Sequence, residues 1–133
     1  MQAFAAGHGS HPDWRMALSM AVAQLQAQRD AQAEPTLGFV YFSDHYAGHA
    51  EALLAALRQR WPGVAWAGSV GLGVLASGVE YFDEPALVLL LCSLPREMFR
   101  VFSGARPLAG FDAFSALVHA DPGTPDLGEL VQE

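Results

Sequence analysis

The stretch Ala86–Leu94 is the most apolar in the chain and carries no charged residue. The longest unbroken apolar run, Pro85 to Cys92, is far too short for a bilayer span, which takes about 20 residues. Its length suits a strand buried on both faces, so the chain must build a sheet with this strand at its centre and cover both sides of it. Everything else in the sequence can be read as neighbours or cover for that strand.

Two amphipathic segments offer cover. Trp14, Ala17, Leu18, Ala21, Val22 and Leu25 fall at helical spacing and predict a helix running to about Ala31. Ser10 and Asp13 suggest a capping box at its start, with Pro12 harmless in the first turn. Ala50, Leu53, Leu54, Leu57 and Trp61 share one face of a second helix, over about 46–61. Ser43 or Asp44 can cap it, Arg58 and Arg60 suit its last turn, and Pro62-Gly63 ends it. Short apolar runs at Ala3–Ala6, Leu37–Phe42 and Val64–Ala67 alternate with these helices and predict strands. Strand–helix–strand–helix–strand order favours parallel strands with right-handed crossovers. After Gly68 the pieces are shorter, at Val74-Leu75, Val79–Phe82 and Phe99–Phe102, and predict antiparallel hairpins. Phe114–Ala120 reads as a last buried strand, and Asp126–Glu133 as the first turns of a helix. The expected fold is α/β: a mixed β-sheet with a βαβαβ N-terminal unit followed by antiparallel hairpins, with helices packed on the sheet.

Charge and cysteine content narrow the function. Seven basic residues, all Arg, face fourteen acidic ones, for a net charge of -7. So acidic a chain is poorly suited to neutralising phosphates, and it has no basic helix for an anionic membrane. Nucleic acid and membrane are therefore not expected partners. One cysteine makes no internal disulfide, and the N-terminus lacks the basic and apolar regions of a secretory signal. Both features predict a cytoplasmic location. Cys92 lies in the most hydrophobic strand, where a thiol is inert.

Several constellations resemble chemical motifs. Ala67-Gly68-Ser69-Val70-Gly71 misses the nucleophile elbow G-x-S-x-G at its first glycine. A hydrolase would also need His119 with Asp121 or Asp126, and a helix after the serine. Gly71-Leu72-Gly73-Val74-Leu75-Ala76 matches G-x-G-x-x-A, but after the third strand and with no helix following, so no dinucleotide cofactor is expected. His8/His11 and His45/His49 have metal-like spacings without a carboxylate or Cys motif, and predict exposed or capping histidines rather than a metal site. Open α/β sheets bind ligands at the carboxyl ends of their strands. That rule selects the loops Gly7–His11, Ser43–His49 and Gly68–Gly73. The candidate ligand contacts are Ser69 and His45, with His8, Ser43 and the backbone of Gly68 and Gly71 beside them. Hydroxyls, imidazoles and N–H groups near helix starts suit an anionic or zwitterionic ligand.

Taken in order, these pieces resemble the FIST domain family. Phe39-Val40-Tyr41-Phe42-Ser43-Asp44-His45-Tyr46 is similar to its strand followed by S-P-H-H/Y. Gly68-Ser69-Val70-Gly71 is similar to its G-C-S/T-x-x-G turn without the Cys. Gly78-Val79-Glu80, Pro85-Ala86-Leu87 and Leu94-Pro95 resemble its G-x-E-v-E, P-A-L and L-P elements, and Ala120-Asp121-Pro122 its later a-D-P. The resemblance covers roughly residues 3 to 122. It implies a sensory module of intracellular signal transduction that binds an amino acid or similar small molecule without catalysis. It also implies a signalling output protein as partner. Family members normally carry a second half of similar length, so residues 1–133 are expected to be one N-terminal FIST-like domain without it. An uncovered edge or face should then favour a homodimer or a docked partner. The alternatives are an interaction scaffold using that open edge, and a serine hydrolase using Ser69.

Overall fold

The structure is a computed structural model and describes residues 4–28 and 34–132. Strand β1 (Phe4–Ser10) is followed by helix α1 (Trp14–Gln28), then β2 (Leu37–Ser43). A 3₁₀ turn at Asp44–His49 leads into α2 (Ala50–Arg60) and β3 (Ala65–Gly71). Next come β4 (Gly73–Ala76), β5 (Val79–Phe82) and β6 (Ala86–Cys92), a 3₁₀ turn at Arg96–Met98, and a short α3 (Leu127–Leu130). The main sheet has the order β1-β6-β2-β3, and β4-β5 form a separate hairpin. β6 is antiparallel to both β1 and β2, while β2 and β3 are parallel. The mixed α/β architecture and the central place of the apolar strand are as expected.

Both faces of β6 are used. Leu87, Leu89 and Leu91 join the main core with Trp14, Ala17, Ala21, Val22 and Leu25 of α1, and Leu53 and Leu57 of α2. Ala86 and Val88 face the other way, onto Val74, Ala76 and Tyr81 of the hairpin. α1 lies unusually close to β1 because Gly7 and Gly9 have no side chain. A Cβ on Gly7 would collide with the carbonyl of Ala21, and one on Gly9 would lie 2.5 Å from that of Ala17.

Several local expectations are corrected. Ser10 does not cap α1: it is still in β1, and its hydroxyl donates to the carbonyl of Pro85 at 2.9 Å and to Glu84. Asp13 caps instead, its Oδ1 accepting from the Arg15 N–H at 2.9 Å. Neither Ser43 nor Asp44 caps an α-helix, because a 3₁₀ turn intervenes before α2. Leu54 is only half-buried, whereas Leu53 and Leu57 are fully buried. Residues 29–31, where the first helix was expected to end, lie outside the described residues. Gly68–Gly71 continues β3 rather than forming a turn. Phe99–Phe102 and Phe114–Ala120 are not strands, and Phe114, Leu117 and Val118 are exposed. No strand edge receives either segment, so their apolar spacing has no ladder to join.

Candidate functional site

The carboxyl ends of β1 and β2 do meet at one edge of the sheet. The buried Tyr46 donates its hydroxyl to the carbonyl of His11, tying the Ser43–His49 loop to the β1–α1 junction. The polar groups there are largely engaged. The His11 N–H donates to the Pro85 carbonyl at 3.2 Å. Ser43 is fully enclosed, and its Oγ accepts from the Ala86 N–H at 3.1 Å. The rule that places ligands at strand ends presupposes a crevice between diverging parallel strands. Here β6 lies between β1 and β2, and Glu84-Pro85 lead into it where that crevice would open. His45 is outside this knot, exposed, with Nδ1 3.4 Å from Asp44.

A second grouping crosses the sheet. In register, His8 is opposite Val88, Val88 opposite Tyr41, and Tyr41 opposite Ser69. Side chains paired across a ladder share a face, so His8, Tyr41 and Ser69 form one row on the hairpin side. The hairpin covers the middle of that row through Val74 and Tyr81. At one end, the Tyr41 hydroxyl is 2.9 Å from His119 Nε2, with Ser69 exposed beside it. Gly68 is in the same strand, and a Cβ there would collide with the carbonyl of Val40; Gly71 ends the strand, opposite Ser43. Ser69 is thus within a strand, not on the strand-to-helix turn that a nucleophile elbow requires.

At the other end of the row, His8 Nδ1 is 2.5 Å from the Tyr81 hydroxyl. Burial, aided by the charge of Glu84, raises the Tyr81 pKa, and burial raises that of Tyr41, so both phenols are neutral at ordinary pH. Beside His8 is a cleft of about 250 Å³ lined by Ala6, Gly7, His8, Gln24, Gln28, Ala76 and Ser77. Each glutamine amide donates one N–H to a β1 carbonyl and accepts one β1 N–H. An amide has two N–H donors and two lone pairs, so each retains one of both. The residues Gln24, Gln28, Ser77, Tyr41 and Tyr81 were missed as site candidates. The usable signal was the i, i+4 spacing of Gln24 and Gln28 on the helix that follows β1.

The four histidines with metal-like spacing are dispersed. His8 engages Tyr81, His11 Nδ1 accepts from the Asp13 N–H at 2.9 Å, and His45 and His49 are exposed. Among the described residues, no three His, Cys, Asp or Glu side chains are grouped to hold a metal ion. Cys92 is buried, and burial pushes its thiol pKa up. No helix among the described residues is long and apolar enough to cross a membrane.

A mixed sheet with helices on one face, a hairpin on the other and a polar row beneath that hairpin defines an α/β domain. Comparison with known proteins gives the family: residues 36–133 match the FIST N domain. The chain belongs to that family, which is consistent with a sensory module of signal transduction and is not a known enzyme family. No curated protein and no solved structure matches the chain.

Proposed function

We propose that this domain is a small-molecule-binding sensory module of cytoplasmic signal transduction, that it does no chemistry on its ligand, and that the ligand sits in the cleft beside β1. The cleft itself carries this reading: about 250 Å³ bordered by one imidazole, one hydroxyl and two amides with unused hydrogen-bonding groups. That volume is below the roughly 300–1,000 Å³ of sites for drug-sized molecules, and favours a ligand the size of an amino acid. Neutral donors and acceptors suit a zwitterion, whose two charges need partners of both kinds. Of the contacts expected from sequence, this site takes His8. Ser69 and Gly68 belong to the Tyr41–His119 end of the row, and His45, Ser43 and Gly71 to the strand ends.

The test is a thermal-shift screen of amino acids and small metabolites on the wild type, His8→Ala and Ser77→Ala, with folding checked by circular dichroism. A ligand at about 100 times its Kd stabilises by about 2.7 kcal/mol, a shift of several degrees for a chain this size. The expected result is a shift in the wild type that both variants lose. A ligand that shifts all three proteins equally places the site elsewhere, and turnover of the bound compound overturns the non-catalytic reading.

A second reading, an interaction scaffold, rests on β3. It is the other edge strand, no side chain among the described residues bonds to its backbone, and Val70 and Leu72 are exposed at its end. A signalling output protein, a C-terminal FIST half or a second copy would pair there. Sedimentation of a Val70→Pro variant tests it, since alternation from Ala65, whose N–H donates to Thr36, turns the Val70 N–H to the free edge, where proline removes the donor: dissociation of a wild-type assembly supports edge pairing at β3.

A further inference from the structure

We propose that β1 is a latent self-pairing edge that Gln24 and Gln28 hold closed by standing in for a neighbouring strand. An edge strand presents a row of unpaired N–H and C=O groups, and such rows recruit other chains unless they are blunted. β1 is an edge, and its sequence Phe-Ala-Ala-Gly-His-Gly-Ser contains no Lys, Pro or acidic residue to deter pairing. The helix supplies what the strand lacks. Gln24 accepts from the His8 N–H at 3.0 Å and donates to the His8 carbonyl at 2.9 Å. Gln28 does the same at Ala6, accepting at 3.1 Å and donating at 2.7 Å.

The register follows from helix and strand geometry. Four helical residues rise about 6.0 Å, and two strand residues about 6.6–6.8 Å. A helix antiparallel to a strand therefore presents every fourth residue to every second strand residue. Ala17 meets Gly9 and Ala21 meets Gly7 on the packed face, while Gln24 and Gln28 meet His8 and Ala6 along the edge. The two glycines bring the helix close enough for the glutamines to reach. A carboxamide has the same donor and acceptor as a peptide group, so the pair offers β1 what a second β1 would offer. With the amides removed, the occupant is β1 of another copy, whose side chains bring no opposing charge.

The proposal is independent of the ligand reading, and its test uses no ligand. Gln24→Met/Gln28→Met keeps side-chain length and removes both amides. In the wild type the Ala6 and His8 amides exchange slowly with deuterium. At low protein concentration in the variant they exchange about fivefold faster, the size of one net hydrogen bond, while Gly7, whose amide points to β6, is unchanged. At high concentration the variant sediments as a larger species than the wild type. Adding Ala6→Pro returns it to wild-type sedimentation, because proline cannot donate to a new ladder. Unchanged exchange at Ala6 and His8 overturns the clamp. Faster exchange with wild-type sedimentation overturns the self-pairing. If the double variant does not fold, Gln28→Met alone should free the Ala6 amide, leave that of His8 protected and sediment larger at high concentration; uniform exchange across β1 or unchanged sedimentation overturns the proposal.

Discussion

The two faces of the sheet are covered by different devices. On one, α1 and α2 bring continuous apolar stripes, and Leu25, Leu53, Leu87 and Leu89 have no exposed surface at all. On the other, a hairpin of two four-residue strands covers the middle of the sheet and leaves Phe39 and Leu90 only half-buried. The hairpin's own outer surface displays Leu75 and Phe82, each 73% exposed. A helix buries a stripe along its whole length, whereas a short hairpin buries every second residue and turns the rest outward. Stability therefore resides mainly on the helix face. The hairpin face carries the polar row of His8, Tyr41 and Ser69 under a lighter apolar cover.

The largest effect expected from this asymmetry is a charge on the helix face. Leu53→Asp places a carboxylate among Leu57, Trp61 and the β-sheet core with no cation to pair it, at a cost of several kcal/mol, on the order of the whole stability. The domain should be unfolded by circular dichroism. Leu54→Asp, at a half-buried position one residue away, should leave a folded protein with a lowered midpoint. Equal behaviour of the two would break the assignment of the buried stripe.

A finer comparison uses neighbours in one strand. Leu89 points to the helices and Val88 to the hairpin. Leu89→Ala should cost about 2–5 kcal/mol in urea unfolding, as in tightly packed cores that cannot collapse around the cavity. Val88→Ala removes fewer atoms under a lighter cover and should cost about 1–2 kcal/mol. A larger loss at Val88 would show that the hairpin, not the helices, closes the principal core.

What the sequence disclosed follows the same division. The stripes of both helices, the central strand at Ala86–Cys92 and the hairpin pieces were legible because period and punctuation act locally. The Phe114–Ala120 run misled because an apolar run becomes a strand only if an edge accepts it. No local pattern reports that the edge of β1 is closed by glutamines. Nor does any local pattern show that β6 lies antiparallel between β1 and β2, since strand order is set by long-range pairing. His8, Tyr41 and Ser69 share a row only through three registers, and 33 residues of sequence separate the first two. Gln24 and Gln28 looked like a polar helix end because their partners are 16 and 22 positions away.

The smallest effects belong to residues 99–132, where the comparison is sharpest. Phe114 is fully exposed, so Phe114→Ser removes no buried area and should change the unfolding free energy by less than about 0.5 kcal/mol, despite the size of the side chain. His119 differs in one respect: its Nε2 is 2.9 Å from the Tyr41 hydroxyl, where the segment touches the hairpin face of the sheet. An exposed hydrogen bond of this kind contributes about 0.5–1 kcal/mol. His119→Ala should therefore be the more costly of the two, although phenylalanine is the larger and more apolar residue. Urea melts of both variants at one pH decide the matter. If Phe114→Ser costs more, that side chain is buried in solution, and the segment covers part of the sheet face where β4 and β5 leave it open.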